Sequence, residues 1–210
     1  IWISGNNLSN TNVGIDITDS SNNSISRNKL TNNENGIHLW SSNNNISGNN
    51  IANNTLGLIL VHANFSSISR NTITNNYCGA VFHYSLKNSV LENSITNNYV
   101  GIALFNSSDN FIYHNNFMNN NRQTGTVSSA FLNAWDDEVE GNYWDNYEGI
   151  DFNGDGIGDV SYVINERNRD NYPLMVPYMP PAQMRVLYYE LLDEYNKMLD
   201  DLNFLTSSYH

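Results

Sequence analysis

Basic side chains are scarce in this sequence: 9 Lys+Arg stand against 21 Asp+Glu, giving a formal charge of -12 over 210 residues. That balance repels phosphate backbones and anionic membrane surfaces, which excludes nucleic acid as a partner class. Charge of either sign is thin, at 14% of the chain, whereas ordinary soluble domains carry about 25%. Cys78 is the only cysteine, so no intrachain disulfide holds the fold. No apolar run approaches the roughly 20 residues that cross a bilayer, and Ile1-Trp2-Ile3 lacks the charged-then-apolar pattern of a leader. Asn, Ser and Thr supply the polarity instead, as suits a repetitive β architecture.

The repeat itself is plain. Gly14, Gly36, Gly57, Gly79 and Gly101 are spaced by 22, 21, 22 and 22 residues, and each opens a short apolar strand. Ahead of each stands Ile3, Ile25, Ile46, Ile68 or Val90, and Ile112 continues the series. Three residues on comes an Asn ladder (Asn6, Asn28, Asn49, Asn71, Asn93, Asn115), and five on an apolar one (Leu8, Leu30, Ile51, Ile73, Ile95, Phe117). Seven on comes a second Asn ladder (Asn10, Asn32, Asn53, Asn75, Asn97, Asn119). Apolar residues paired at spacing two and broken by Asn and Gly describe strands and bends, not helices. Stacked coils explain the restriction of bends to Asn: such a residue tolerates left-handed backbone and can bond its equivalents above and below. The prediction is an all-β chain with a right-handed, single-stranded parallel β-helix of about six coils over 1–121, an irregular cap over 122–180 and an α-helix over 181–210.

From Ile3 to Asn121 the repeat resembles the NosD-like and pectate-lyase-like parallel β-helix families. Asn133-Ala134-Trp135-Asp136, Gly141-Asn142-Tyr143-Trp144 and Asp170-Asn171-Tyr172-Pro173-Leu174-Met175 are similar to the motifs that close archaeal NosD-like surface proteins. The resemblance implies an extracellular or cell-surface setting.

Four groups of residues are candidates for function. Strand alternation points Trp40, Ile59, Val61, Val81 and Phe105 outward, an apolar patch fit for a partner or for the chain's own C-terminal region. The loop Asp151-Phe152-Asn153-Gly154-Asp155-Gly156-Ile157-Gly158-Asp159 has the oxygen spacing of a calcium site, with Asp151, Asn153, Asp155, the Ile157 carbonyl and Asp159 as ligands and Glu148, Asp145 or water completing it. Met184, Tyr188, Leu191, Tyr195, Met198, Leu202 and Leu205 step by 4 and 3, the seam of a coiled coil joining copies of the chain. The histidines are the fourth: a NosD resemblance implies a link to copper, yet His62 with His83 and His38 beside Asp16 fall short of the three or four ligands copper needs. Acids are scattered over the coils as Asp16, Asp19, Glu34, Glu92 and Asp109, without the paired carboxylates of a glycan-cleaving enzyme. These readings predict a non-catalytic surface module that self-associates or binds a surface partner. The alternatives are a carbohydrate-binding module, a polysaccharide lyase or hydrolase relative, and a copper-site accessory protein.

Overall fold

The structure, a computed structural model, describes residues 1–207, with side chains placed through Leu199. Two compact units divide at Tyr178 and Met179. In the first, each coil contributes one strand to each of three parallel sheets. The first sheet stacks Trp2–Ser4, Ser24–Ser26, Asn45–Ser47, Ser67–Ser69, Ser89–Leu91 and Phe111–Tyr113. The second stacks Asn7–Ser9, Lys29–Thr31, Asn50–Ala52, Thr72–Thr74, Ser94–Thr96, Asn116–Met118 and then Tyr143–Trp144 from the cap. The third stacks Val13–Thr18, Asn35–Trp40, Leu56–Val61, Cys78–His83, Val100–Phe105 and Arg122–Val127. The second unit is one helix, Pro181–Ser207.

Like residues stack on like. Ile25, Ile46, Ile68, Val90 and Ile112 are direct neighbours in register, as are Leu30, Ile51, Ile73, Ile95 and Phe117. All of these are buried, with Ile37, Leu58, Ala80, Ile102, Leu39, Leu60, Phe82 and Leu104 closing the core from the third sheet. The right-handed parallel β-helix read from the repeat is therefore the fold. It runs one strand beyond Asn121: Arg122–Val127 still pairs with Val100–Phe105, but an irregularity between Ile102 and Leu104 and its polar residues hide it from the periodicity.

The glycine ladder is required by space. A Cβ on Gly36 would stand 2.5 Å from the Gly57 carbonyl oxygen and 2.8 Å from Ile51 Cγ2, so any side chain there forces coils apart.

The asparagine reading needs a correction, because bending and bonding belong to adjacent residues rather than to one. Asn10, Asn32, Asn53, Asn75, Asn97 and Asn119 do hold positive φ, near 54–59°, but their side chains make no bonds between coils. The residue that follows does: Thr11 and Asn33, Asn54, Asn76, Asn98 and Asn120 form the bonded column. Likewise Arg27, Arg70, Glu92 and His114 carry the left-handed backbone beside the buried Asn28, Asn71, Asn93 and Asn115. A side chain turned into the core cannot also occupy the exposed outer corner.

Candidate functional site

Three buried columns of asparagine line the corners, and their ends shape the cap. In the column from Asn6 to Asn115, each Nδ2 donates to the next Oδ1 and, from Asn28 on, to a backbone carbonyl of the preceding coil. Asn71 Nδ2 donates to Asn93 Oδ1 at 3.0 Å and to the Ile46 carbonyl at 2.9 Å. The backbone N–H of Asn71 donates to the same Asn93 oxygen at 3.0 Å. The column continues through Asn115 into Asn142 at 3.0 Å and stops at Asp170, whose Oδ2 accepts from Asn142 N at 2.7 Å and Trp144 Nε1 at 2.8 Å. The Tyr172 N–H donates to its other oxygen at 3.1 Å. A second column, Asn23, Asn44, Ser66, Asn88, Asn110 and Asn133, ends in the same manner: Asn133 N and Trp135 Nε1 both donate to Asn168 Oδ1, at 3.0 and 3.3 Å. The third ends at Asp145, which accepts from Asn119 N and Gln123 Nε2. Phe117, Trp144 and Tyr162 stack at 4.4 and 4.3 Å to seal the apolar core.

Asp170 is fully buried with no cation among its partners, and burial pushes its carboxyl up to about 6 against the pull of its N–H donors. Gly141 leaves it room, since a Cβ there would lie 1.8 Å from Asp170 Oδ1. Asn168 and Asp170 as column terminators were not read from the sequence. The twofold occurrence of Asn-x-Trp at 133 and 142, matched by Asn-x-Asp at 168, was the signal.

On the outer face of the third sheet the patch is partly self-covered. Val81 is buried, with Cys78 and Ala103, under Leu56, Ile59, Val100 and Phe105. Gly125 adds cover, since a Cβ there would stand 2.8 Å from Val100 Cγ1. Ile59, Val61 and Phe105 are half-buried, and Trp40 alone of the five is widely exposed, at 50%. Its rim carries rings in columns: Trp40, His62 and Tyr84 follow one another at 6.3 and 5.1 Å, and His83 stacks on Phe105 at 4.7 Å. Because His62 with Tyr84 and His83 with Phe105 lie within about 11° and 7° of parallel, they spend ring faces on each other.

The acidic loop closes on its own backbone. Asp151 accepts from the N–H groups of Gly154, Asp155 and Gly156, Asp155 from Ile157, and Asp159 from Phe152. Gly154 and Gly156 have φ of 75° and 89°, which only glycine adopts freely. The loop is moored on the 173–175 segment, Gly158 N donating to the Pro173 carbonyl and Met175 N to that of Gly156. Asp145, one of the candidate completing ligands, accepts from Asn119 N and Gln123 Nε2 at the end of the third column. Among the described residues no three His, Cys, Asp or Glu side chains converge as a metal group.

In the helix, Met184, Tyr188, Leu191, Tyr195 and Met198 are all more than half exposed, at 53–64%. The expected seam residues Leu202 and Leu205 lie outside the residues whose side chains are described. No described helix is long and apolar enough to cross a membrane.

Stacked parallel coils with a saturated polar interior and an aromatic cap define a β-helix scaffold. The chain belongs to the NosD family: residues 1–149 match the family described as periplasmic copper-binding protein (NosD). No curated protein matches it significantly. The described residues do not fit copper. His38 Nδ1 is 2.9 Å from Asp16 Oδ1, His62 and His83 are stacked on rings of neighbouring coils, and His114 is stacked on Tyr178 at 4.2 Å. Burial pushes the Cys78 thiol up to about 12, far from the thiolate that softer metals need.

Proposed function

We propose that the chain is a non-catalytic scaffold of the cell envelope or surface, joined to copies of itself through its C-terminal helix. One observation carries the reading: a 27-residue helix presents Met184, Tyr188, Leu191, Tyr195 and Met198 in heptad steps, all exposed. A stripe that apolar is stable in water only against another surface, and a heptad stripe fits a second copy of itself. The periplasmic description of the family supports the envelope setting. The saturated interior supports a rigid spacer, since its asparagines are spent on one another. Leu191→Lys with Tyr195→Lys tests this: light scattering on the full chain should show an oligomer that becomes a monomer in the variant. A wild-type monomer at all concentrations, or an unchanged oligomer in the variant, overturns it.

The outer face of the third sheet is the second proposed contact, centred on Trp40 and Phe105. Carbohydrate binding is less favoured, because sugar rings dock on free aromatic faces, and His62, Tyr84, His83 and Phe105 each stack a face on a ring of a neighbouring coil. We further propose that the 151–159 loop takes calcium as a fastener of the cap, on the strength of its alternating oxygens and its left-handed glycines.

A further inference from the structure

The last residue of the β-helix unit is held by a small charged site at the corner that precedes Asn115. Tyr178 is clamped to the second sheet by two hydrogen bonds: its N–H donates to Asn116 Oδ1 at 2.7 Å, and its carbonyl accepts from Asn116 Nδ2 at 3.0 Å. Its ring lies flat on His114, with centroids 4.2 Å apart and planes within 9°. The Nε2 of His114 is shut off from solvent and makes no hydrogen bond, although Glu140 Oε2 stands 2.9 Å away out of hydrogen-bonding alignment.

The groups facing this imidazole come from three directions. From one coil below, Glu92, paired with Arg70 at 2.6 Å, reaches the Tyr178 phenol that covers the ring. Glu140 approaches from the cap loop and Tyr178 from the exit segment. Tyr113, next in the chain, meets the ring edge-on at 4.9 Å. One carboxylate and two phenols meet the histidine, and the Glu92–Arg70 pair one coil below acts on the Tyr178 phenol. Burial, then the Glu92 and Glu140 charges, hold the Tyr178 phenol above its ordinary range, so it stays neutral and available for stacking.

We propose that His114 is a proton-operated latch for the exit segment, closed when its imidazole is charged and loosened when it is neutral. A charged ring turns the Glu140 contact into an ion pair and the Tyr178 stack into a cation–π contact. A neutral ring, whichever nitrogen carries its proton, has neither the ion pair nor the cation–π contact. Protonation supplies the charge, so acidification tightens the point at which the chain leaves the β-helix.

A nitroxide at Val176→Cys in the full chain reads the latch, since that position is exposed whereas Cys78 is buried and unreactive. The ratio of immobilised to mobile label should be about fivefold higher at pH 5.5 than at pH 8, the worth of a partly exposed ion pair. His114→Asn, which tolerates the positive φ of 57° at this corner, should abolish the response, and Glu140→Gln should abolish most of it. Asp170 also titrates in the cap, so the response is read as wild type minus His114→Asn. Equal ratios at both pH values, the full response surviving in His114→Asn, or the full response surviving in Glu140→Gln each overturns the latch.

Discussion

The coils and the cap solve one problem by opposite means. In the coils, a buried asparagine is satisfied by its own equivalent 21 or 22 residues along, as with Asn28 on Asn49 and Asn71 on Asn93. In the cap the partner stands outside the repeat, 28 to 35 residues away: Asp170 for Asn142, and Asn168 for Asn133. A repeating column extends itself but has no way to stop, because its last donors always need one more coil. A carboxylate stops it, since it accepts on both oxygens and has nothing left to donate. Hence an error in the coils removes one rung, whereas an error at a terminator strands the end of a column.

The greatest loss should follow Asp170→Ala, which leaves Asn142 N, Trp144 Nε1 and Tyr172 N as buried donors without acceptors. The expected cost is about 4 kcal/mol, seen in calorimetry as a strongly lowered melting temperature. Asn93→Ala should cost less, about 3 kcal/mol, because it strands chiefly the Asn71 N–H and the Ile68 carbonyl while the column continues on either side. If the two fall in the reverse order, terminators are not the weak points of the fold.

Acidity separates the regions next, because the coil columns are uncharged and the cap column ends in a carboxylate. The buried Asp170 carboxyl sits at about 6 against an ordinary value of 3.8, so between these values the folded state holds a proton that the unfolded state has released. Its ionisation is therefore destabilising above pH 6, and the lost stability returns as pH falls through 6 toward 3.8. Between pH 7 and 4.5 the wild type should gain on the order of 2 kcal/mol relative to Asp170→Asn. Urea unfolding of both proteins at the two pH values measures the gain. A flat difference would mean that the donors around Asp170 keep it an ordinary acid.

What could be read ahead follows the same division. Ile25, Ile46 and Ile68 repeat at a fixed period and stack in register, so the coils were legible from spacing alone. Of the Asn columns, the one from Asn6 to Asn115 was legible and the one from Asn33 to Asn120 was misplaced by a single residue. A period cannot tell which of two adjacent asparagines turns inward. Val81 was expected outside and is buried, because alternation gives the direction of a side chain but not the neighbours that close over it. The Trp135–Asn168 and Trp144–Asp170 pairings left only the Asn-x-Trp and Asn-x-Asp motifs as a trace: each joins unlike residues across an irregular stretch, so the motif repeats but does not name its partner.

Calcium should act on the cap and leave the coils untouched, with the smallest effect. The three carboxylates of the loop already accept backbone N–H groups, so ion binding competes with bonds in place, and affinity belongs near the millimolar range of extracellular modules. At about 5 mM ion and a dissociation constant near 1 mM, the gain is about 1 kcal/mol, or about 2–4 °C in melting temperature. Asp155→Asn should remove most of that shift while leaving the melting temperature without calcium nearly unchanged, because its amide oxygen still accepts from the Ile157 N–H, whereas Asp151 accepts on both of its oxygens and is left in place. Titration calorimetry without heat, together with a melting temperature indifferent to calcium, would leave the loop as a hydrogen-bonded turn moored on Pro173 and Met175.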